Sequence, residues 1–184
     1  AWKVINDSIN VATATGATVY VNGGATYNES VNVNKSVYLH GANAGKAGND
    51  PTRTAESIVD PNSPGFNVTA NNVTIDGFEI TSADDGVLVN GASGVTVKNN
   101  FIHDITESGV QLINSANAVV SGNLIQKTGL EGVRADGSAS LQVKNNVINN
   151  TLKDGIALYN SIKSLITGNY IGFTGALVSA GTNN

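Results

Sequence analysis

Carboxylate side chains recur at equivalent places in four similar segments of this sequence. Each segment opens with a glycine, at Gly86, Gly109, Gly132 or Gly155. Asp85, Glu131 and Asp154 directly precede their glycines, and Glu107 falls one place earlier. Oxygen ligands on stacked strands would lie about 5 Å apart, and hard oxygen ligands at that spacing suit Ca²⁺. The acidic positions therefore indicate a candidate calcium site.

Basic side chains and a tyrosine lie close to the acidic positions in the sequence. They are His103, Lys127, Arg134, Lys153 and Tyr159. A simpler interpretation is that turns carry charges because turns meet water, with pairs such as Glu131 and Lys153 worth about 0–1 kcal/mol each. His103 and Asp104 form an acid/base candidate, but neighbours on a strand point to opposite faces. Both interpretations stay open at this stage.

The elements that position these residues follow from a fixed repeat. The four glycines stand 23 residues apart, and a constant period of this size is typical of a solenoid. Equivalent positions carry β-branched residues in short alternating runs: Val87, Val110, Val133 and Ile156, then Val97, Val120, Val143 and Ile166. Such runs predict strands. Three short strands per repeat predict an all-β, right-handed, single-stranded parallel β-helix of about seven coils, in which stacked coils share one core.

An asparagine recurs fourteen residues after each opening glycine. The four are Asn100, Asn123, Asn146 and Asn169. Asparagine tolerates a left-handed backbone at a tight corner, and stacked asparagines can hydrogen-bond to one another. We therefore predict a structural asparagine ladder, whose first position in the preceding coil is taken by Phe78.

Composition narrows the class of protein. The chain has 184 residues, 40% of them apolar, a net charge of −4 and no cysteine. It has no basic run and no apolar stretch near the roughly 20 residues of a membrane span, so nucleic acid binding and membrane insertion are not expected. Without cysteine there is neither a disulfide nor a thiolate metal site. One domain with this composition is compatible with secretion from a bacterium or display on its surface.

The parts of the chain outside the regular repeat predict caps and a loop. Residues 1–16 predict an N-terminal cap with a short helix, which Asp7 or Ser8 would cap. Residues 40–57 predict a loop that projects from one face. Residues 65–175 form the regular coils of a domain spanning 1–175, and residues 176–184 predict a polar tail.

The chain resembles the right-handed parallel β-helix superfamily, also called pectin-lyase-like. The stretch TVYVNGGATYNESVNVNKSVYLHGANAG resembles its first coils, and NVTIDGFEI followed by NNFI, GNLI, NNVI and GNYI resembles its repeating coil. The superfamily includes pectate and alginate lyases, mannuronan epimerases, phage tailspikes and NosD-type periplasmic proteins. The resemblance covers nearly the whole chain and implies the fold, but one fold hosts many functions.

The resemblance implies roles for the charged residues if the chain is a lyase. Superfamily lyases use acidic ligands for Ca²⁺ with an Arg or Lys base. Arg134 would be the base, with Lys127 and His103 as further catalytic candidates. Asp85, Glu107, Glu131 and Asp154 would be metal ligands, while Lys153 and Tyr159 would bind substrate. A bound cation would neutralise a uronate and acidify the proton to be removed.

The short, even coils favour a different leading function. We expect a non-catalytic structural or carbohydrate-interacting module of a secreted or surface bacterial protein. The alternative is the Ca²⁺-assisted lyase, or a related enzyme acting on an acidic polysaccharide. An excised solenoid fragment without activity is a third interpretation. The sequence shows no strong C-terminal cap, and an open end could associate with another molecule because unpaired strand edges recruit strands.

Overall fold

The computed structural model describes residues 4–180, and side chains as far as residue 172. A short helix, α1 (Ile5–Val11), is followed by short strands. In chain order the strands are β1 (Ala17–Tyr20), β2 (Ala25–Tyr27), β3 (Val31–Val33), β4 (Val37–His40), β5 (Ser57–Val59), β6 (Phe66–Val68), β7 (Thr74–Asp76), β8 (Glu79–Thr81), β9 (Val87–Asn90), β10 (Thr96–Lys98), β11 (Phe101–Ile105), β12 (Val110–Ile113), β13 (Val119–Ser121), β14 (Leu124–Thr128), β15 (Val133–Asp136), β16 (Gln142–Lys144), β17 (Val147–Tyr159), β18 (Leu165–Thr167) and β19 (Tyr170–Ala180).

The strands stack in parallel into three faces. The first face is a seven-stranded sheet, in the order β1, β4, β7, β10, β13, β16 and β18. A twelve-stranded sheet supplies the other two. The second face contains β2, β5, β8, β11 and β14, and the third face contains β3, β6, β9, β12 and β15; β17 passes through both, and β19 pairs with β17 as the twelfth strand. The predicted parallel β-helix of about seven coils is therefore confirmed.

The 23-residue register holds between the coils from Gly86 onward. Val97 pairs with Val120, and Val120 with Val143, as the alignment of the repeats predicts. Along β12, Val110 and Leu112 are buried, whereas Gln111 and Ile113 are only partly buried. Alternate side chains of every coil therefore enter a shared core, and each one fully buried contributes about 1.5–3 kcal/mol.

The asparagine column lies at the corner between the first and second faces. Asn146 Oδ1 accepts hydrogen bonds from the backbone N–H (3.0 Å) and the Nδ2 (2.9 Å) of Asn123. Asn123 Nδ2 also donates to the carbonyl oxygen of Val97 (3.0 Å). The same bonds join Asn100 to Asn123 and Asn146 to Asn169. Buried corner N–H groups are thus satisfied by a side chain from the next coil.

Phe78 occupies the position before Asn100 in this column. Its backbone N–H donates to Asn100 Oδ1 (2.9 Å). Its buried ring packs edge to face against Phe66, with ring centroids 5.1 Å apart. Phe78 is thus the first residue of the column: its backbone bonds to the column, and its ring packs in the core.

Beside the asparagine column, a second column alternates glycine with asparagine in left-handed backbone. It consists of Gly77, Asn99, Gly122, Asn145 and Gly168, all with positive φ. A Cβ added to Gly122 would lie 2.7 Å from Asn99 Oδ1, and one added to Gly168 would lie 2.3 Å from Asn145 Oδ1. Each asparagine side chain therefore fills the space above the glycine of the next coil.

The N-terminal helix covers the first coil, with Ile5 and Ile9 buried. The prediction of a short helix is confirmed, but the predicted caps Asp7 and Ser8 are wrong. The helix begins at Ile5, and the carboxylate of Glu29 accepts hydrogen bonds from the N–H groups of Ile5 and Asn6. A tertiary contact therefore supplies the cap.

The segment 40–57 does not project, as the sequence analysis expected, but lies against the asparagine corner. The N–H of Gly48 donates to the carbonyl oxygen of Gly122 (2.8 Å). The guanidinium of Arg53 donates to the carbonyl oxygen of Asn99 (2.8 Å) and makes two 2.8 Å bonds to Glu56. The segment lies flat because it donates hydrogen bonds to backbone carbonyl oxygens at this corner.

The last strand, β19, pairs with β17 from Tyr170 opposite Val147 to Ala180 opposite Leu158. It therefore includes residues 176–180, which the sequence analysis assigned to the tail. Residues 181–184 lie outside the described part of the chain, as does Trp2 at the other end.

Replacing Gly122 with Ala should destabilise the protein more than replacing Gly91 with Ala. Both glycines have positive φ (65° and 72°), so both substitutions carry a backbone penalty of about 1 kcal/mol. Only the Gly122 Cβ would collide with Asn99, because nothing lies within 4 Å of a Cβ at Gly91. Urea unfolding of the two variants should separate them by at least about 1 kcal/mol. Equal losses of unfolding free energy in the two variants would show that the alternation of glycine and asparagine does not depend on a clash with the Asn99 side chain.

Candidate functional site

The third face carries a polar cluster on its outer side. Outward positions of β12, β15 and β17 fall into two columns, Gln111–Arg134–Ala157 and Ile113–Asp136–Tyr159. Beneath Gln111 and Arg134, the preceding corner contributes two buried carboxylates, Asp85 and Glu131. We call Gln111, Arg134, Asp136 and Tyr159, with Asp85 and Glu131 beneath them, the third-face site.

Arg134 is the centre of this site. Its Nε donates to Asp136 Oδ2 (2.8 Å), and its Nη1 lies 3.8 Å from Glu131 Oε2. Its Cζ lies 5.1 Å from the ring centroid of Tyr159, in a cation–π contact. The hydrogen bond to Asp136 raises the pKa of Arg134 above its ordinary value, so the guanidinium keeps its proton. This arrangement supports a fixed cation and argues against the predicted role as a general base.

Asp85 is a buried carboxyl group, with 4% of the residue exposed. The backbone N–H of Ser108 donates to its Oδ1 (3.1 Å), and the Gln111 amide lies 2.8 Å from its Oδ2. Loss of hydration raises the pKa of Asp85 to about 6. The Ser108 hydrogen bond lowers this pKa, the charges of Glu107 and Asp84 raise it, and that of Arg134 lowers it.

The four predicted metal ligands do not form one row. Ser108 stands between Asp85 and Glu131 in the corner column, and its Oγ donates to Glu131 Oε2 (3.3 Å). Glu107 is exposed and lies in the neighbouring column, beside Asp84. Asp154 follows Glu131 in the corner column and is partly buried. The acidic row expected from the sequence is thus interrupted. Ser108 occupies the corner position between Asp85 and Glu131, and Glu107, the residue before it, lies outside that column.

The described part of the chain contains no formed metal site. Within residues 4–180, no group of three or more His, Cys, Asp or Glu side chains is arranged to hold a metal ion. Asp85 and Glu131 use their oxygens on protein donors, with 4% and 1% of each residue exposed. The predicted calcium site therefore stays a prediction without geometric support.

His103 and Lys127 belong to a different cluster, on the second face. His103 Nε2 lies 3.0 Å from Glu79 Oε1, and its Nδ1 lies 2.6 Å from Asp104 Oδ2. Lys127 Nζ lies 3.3 Å from Asp104 Oδ1. The hydrogen bond from His103 is the main cause that lowers the pKa of Asp104.

The contact between His103 and Asp104 corrects the expectation that these neighbours point to opposite faces. Asp104 has a φ of 54°, so the strand turns there and its carboxylate folds back toward the ring. Lys153, the other predicted substrate residue, is exposed on the next corner and pairs its N–H with Leu130. The predicted site residues therefore divide between two faces and a corner; Arg134, Glu131, Asp85 and Tyr159 come together, and Asp154 follows Glu131 at the same corner.

Sequence reasoning missed Gln111, Ser108 and Asp136. Gln111 stands at the same position of its repeat as Arg134, so the 23-residue register already placed the two side by side. Asp136 lies two residues after Arg134 on one strand, and alternate residues share a face. Ser108 carries no sequence signal, because its role depends on the two carboxylates that it connects.

The comparisons with known proteins define the family. The chain matches the family described as "right handed beta helix region" over residues 46–184. It therefore belongs to the right-handed β-helix family. A search of curated protein sequences finds no significant match. Within the described residues, no helix has the length and apolar character to cross a membrane.

Two solved structures share the fold. An alginate lyase from Paenibacillus sp. str. FPU-7 is similar with a TM-score of 0.64 and 16% identity, over 91% of this chain and 72% of the lyase. The catalytic unit of a GH87 α-1,3-glucanase from Streptomyces thermodiastaticus strain HF3-3 is similar with a TM-score of 0.67 and 21% identity. That match covers 95% of this chain but only 38% of the glucanase unit. At these identities the likeness shows the fold alone.

Replacing Asp85 with Asn should stabilise the protein at pH 8 and leave it unchanged at pH 4. The folded-state pKa of about 6 lies above the ordinary 3.8, so ionisation of Asp85 costs stability as the pH rises through this interval. The full cost at pH 8 is at most about 3 kcal/mol. Urea unfolding at both pH values measures the gain, with Asp84→Asn as the exposed control. A gain of the same size at pH 4 would contradict the assignment.

Proposed function

We propose that this chain is a non-catalytic, carbohydrate-interacting β-helix module of a secreted or cell-surface bacterial protein, and that the third-face site is its glycan-contacting surface. The observation that carries the proposal is the position of Arg134. Its guanidinium is held by Asp136 and Glu131, and it lies over the ring of Tyr159 on the outer side of a sheet. A planar donor group fixed beside an aromatic ring is suited to a hydroxyl-rich ligand.

The chemistry of the site fits sugar hydroxyl groups. A guanidinium offers five N–H donors, and Asp136 uses one of them with a short, directed bond. Asp136 and the Gln111 amide add acceptor and donor capacity beside it, and Tyr159 adds an apolar ring surface. Equivalent positions repeat at about 4.8 Å along the sheet, so a linear polymer would meet several coils in succession.

The burial of the two carboxylates favours binding over catalysis. A catalytic acid or base must reach the substrate to transfer its proton. Asp85 and Glu131 are 4% and 1% exposed, and each accepts hydrogen bonds within the protein. Their geometry suits the positioning of Gln111 and Arg134. The names of the similar structures, an alginate lyase and an α-1,3-glucanase, support a polysaccharide as the ligand class.

Variants of the third-face site should lose glycan binding without losing the fold. We expect Arg134→Gln and Tyr159→Leu each to weaken binding at least about tenfold, because a fixed donor or a ring surface is lost. Isothermal titration calorimetry with soluble neutral glucans, alginate and polygalacturonate measures the affinity of each variant. Lys144→Ala, on the first face, is the matched control and should bind as the wild type does. Unchanged binding in the two site variants, or no binding by the wild type to any glycan, would overturn the proposal.

A Ca²⁺-assisted lyase acting on an acidic glycan is the second candidate, favoured by the gathering of Arg134, Asp85 and Glu131 on one face. Its test is ultraviolet absorbance of uronate polysaccharides incubated with the protein, with Ca²⁺ and with chelator. We expect no growth of the unsaturated-uronate signal. A signal that chelator and Arg134→Ala abolish would replace the non-catalytic assignment with a lyase.

A further inference from the structure

The second face carries two outward columns of side chains that continue past the His103 cluster. One column consists of Phe101, Leu124, Val147 and Tyr170, and the other of His103, Gln126, Asn149 and Gly172. The members from β14 and β17 are partly buried, and Tyr170 is exposed. We call Leu124, Gln126, Val147, Asn149 and Tyr170 the second-face surface.

Gln126 and Asn149 place two side-chain amides on neighbouring coils, about 4.8 Å apart. Within residues 4–172, neither of these side chains makes a hydrogen bond to the protein. No buried side-chain nitrogen or oxygen atom lacks a partner in that part of the chain, so both amides have access to solvent. Each amide offers two N–H donors and a carbonyl acceptor. The two coils therefore present adjacent donors and acceptors that no protein group uses.

The ring of Tyr170 lies next to these amides. A Cβ added to Gly172 would lie 3.1 Å from Cε1 and 3.3 Å from Oη of Tyr170, so the ring lies over this glycine. Gly172 pairs with Asn149 between β19 and β17, so the ring takes the place of the side chain that would follow Asn149 in the column. Because 66% of Tyr170 is exposed, the column ends in an accessible aromatic surface.

The charges close to this surface are paired with one another. Glu79 lies 3.0 Å from His103, and Lys127 lies 3.3 Å from Asp104. Residues 147–152 carry no charged side chain. An acidic polymer would therefore find no unpaired cation between Gln126 and Tyr170, whereas hydroxyl groups match the amides.

The second-face surface has a border on each side. On one side Gly48 packs against the backbone of Leu124. On the other side, a groove of about 380 Å³ follows the amide column and is lined in part by Lys127, Asn150 and Leu152. Ligand-binding clefts start at about this size. The groove gives room for groups that project sideways from a bound chain.

We propose that the second-face surface is a further binding site, which takes a neutral, hydroxyl-rich polysaccharide lying along the solenoid axis. The amides of Gln126 and Asn149 hydrogen-bond its hydroxyl groups, and the Tyr170 ring packs against the C–H groups of a sugar ring. The site is separate from the third-face site, because the two lie on different faces of the coil. It goes beyond the proposed function and does not depend on it.

The first experiment is an NMR titration of the labelled full chain with laminarin and with dextran, two soluble neutral glucans. We expect at least one of them to shift the side-chain amide signals of Gln126 and Asn149 in a saturable way. The same shifts should persist in Arg134→Gln, which removes a central group of the third-face site. Polygalacturonate should leave both amide signals unchanged.

Variants test the contribution of each group to this binding. Gln126→Ala, within the regular coils, and Tyr170→Ala should each weaken the affinity about threefold to tenfold, because an amide or the ring surface is lost. Gly172→Val keeps the tyrosine but fills the place of its ring, so it should weaken binding as well. Tyr20→Ala removes a ring that is 78% exposed on the first face and should bind as the wild type does.

Unmoved Gln126 and Asn149 signals with both glucans would overturn this inference, and so would a response to polygalacturonate alone. Wild-type affinity in both Gln126→Ala and Tyr170→Ala would overturn it too. The Gln111 amide signal reports on the third-face site in the same spectra. A response of Gln126 and Asn149 while Gln111 is silent with every glycan supports the second site and refutes the proposed one. The reverse pattern refutes the second site alone.

Discussion

The structure depends on the pairing of each coil with equivalent residues of the next. Parallel strands bond to one another at regular intervals, so a residue in one coil lies directly above its counterpart in the next, which is 23 positions along the chain in the coils from Gly86 onward. Earlier coils differ in length, as in the pairs Ala17–Val37 and Val31–Phe66, and the difference is taken up between the strands, so that the strands still pair in register. The constant register therefore dictates which side chains become neighbours, in the core, at the corners and on the outer surface.

The corners meet this constraint with polar side chains instead of apolar ones. Backbone N–H groups at the corners lie outside the strand ladders, and a buried group without a partner costs about 1–3 kcal/mol. At one corner, asparagine side chains supply the bonds from coil to coil. At another, the partners of backbone N–H groups and hydroxyls include Asp85 and Glu131. Buried carboxylates in this protein are thus part of the corner chemistry.

The same corner connects the fold with the proposed surface. Asp85 contacts Gln111 and Glu131 lies near Arg134, so two buried acids position two outward polar groups on neighbouring coils. Tyr159 and Asp136, from the third face itself, hold the guanidinium from the other side. A flat sheet can present an ordered polar cluster in this way without a deep cleft. The cluster on the second face, around His103, is built differently because a left-handed Asp104 folds back on its own strand.

The sequence by itself determined the repeat, the strands, the shared core and the pairing of columns, because a period of 23 residues with β-branched positions allows one stacking register. The sequence also named Arg134 and Tyr159 as candidates, but the structure brought them into contact. Only the tertiary structure decided that Ser108 interrupts the acidic row, that Glu29 caps the helix and that Arg53 holds the segment 40–57 flat. Each of these depends on the direction of one side chain at a corner. Periodicity specifies which coil and column a residue occupies, but local backbone angles and burial decide where its side chain points.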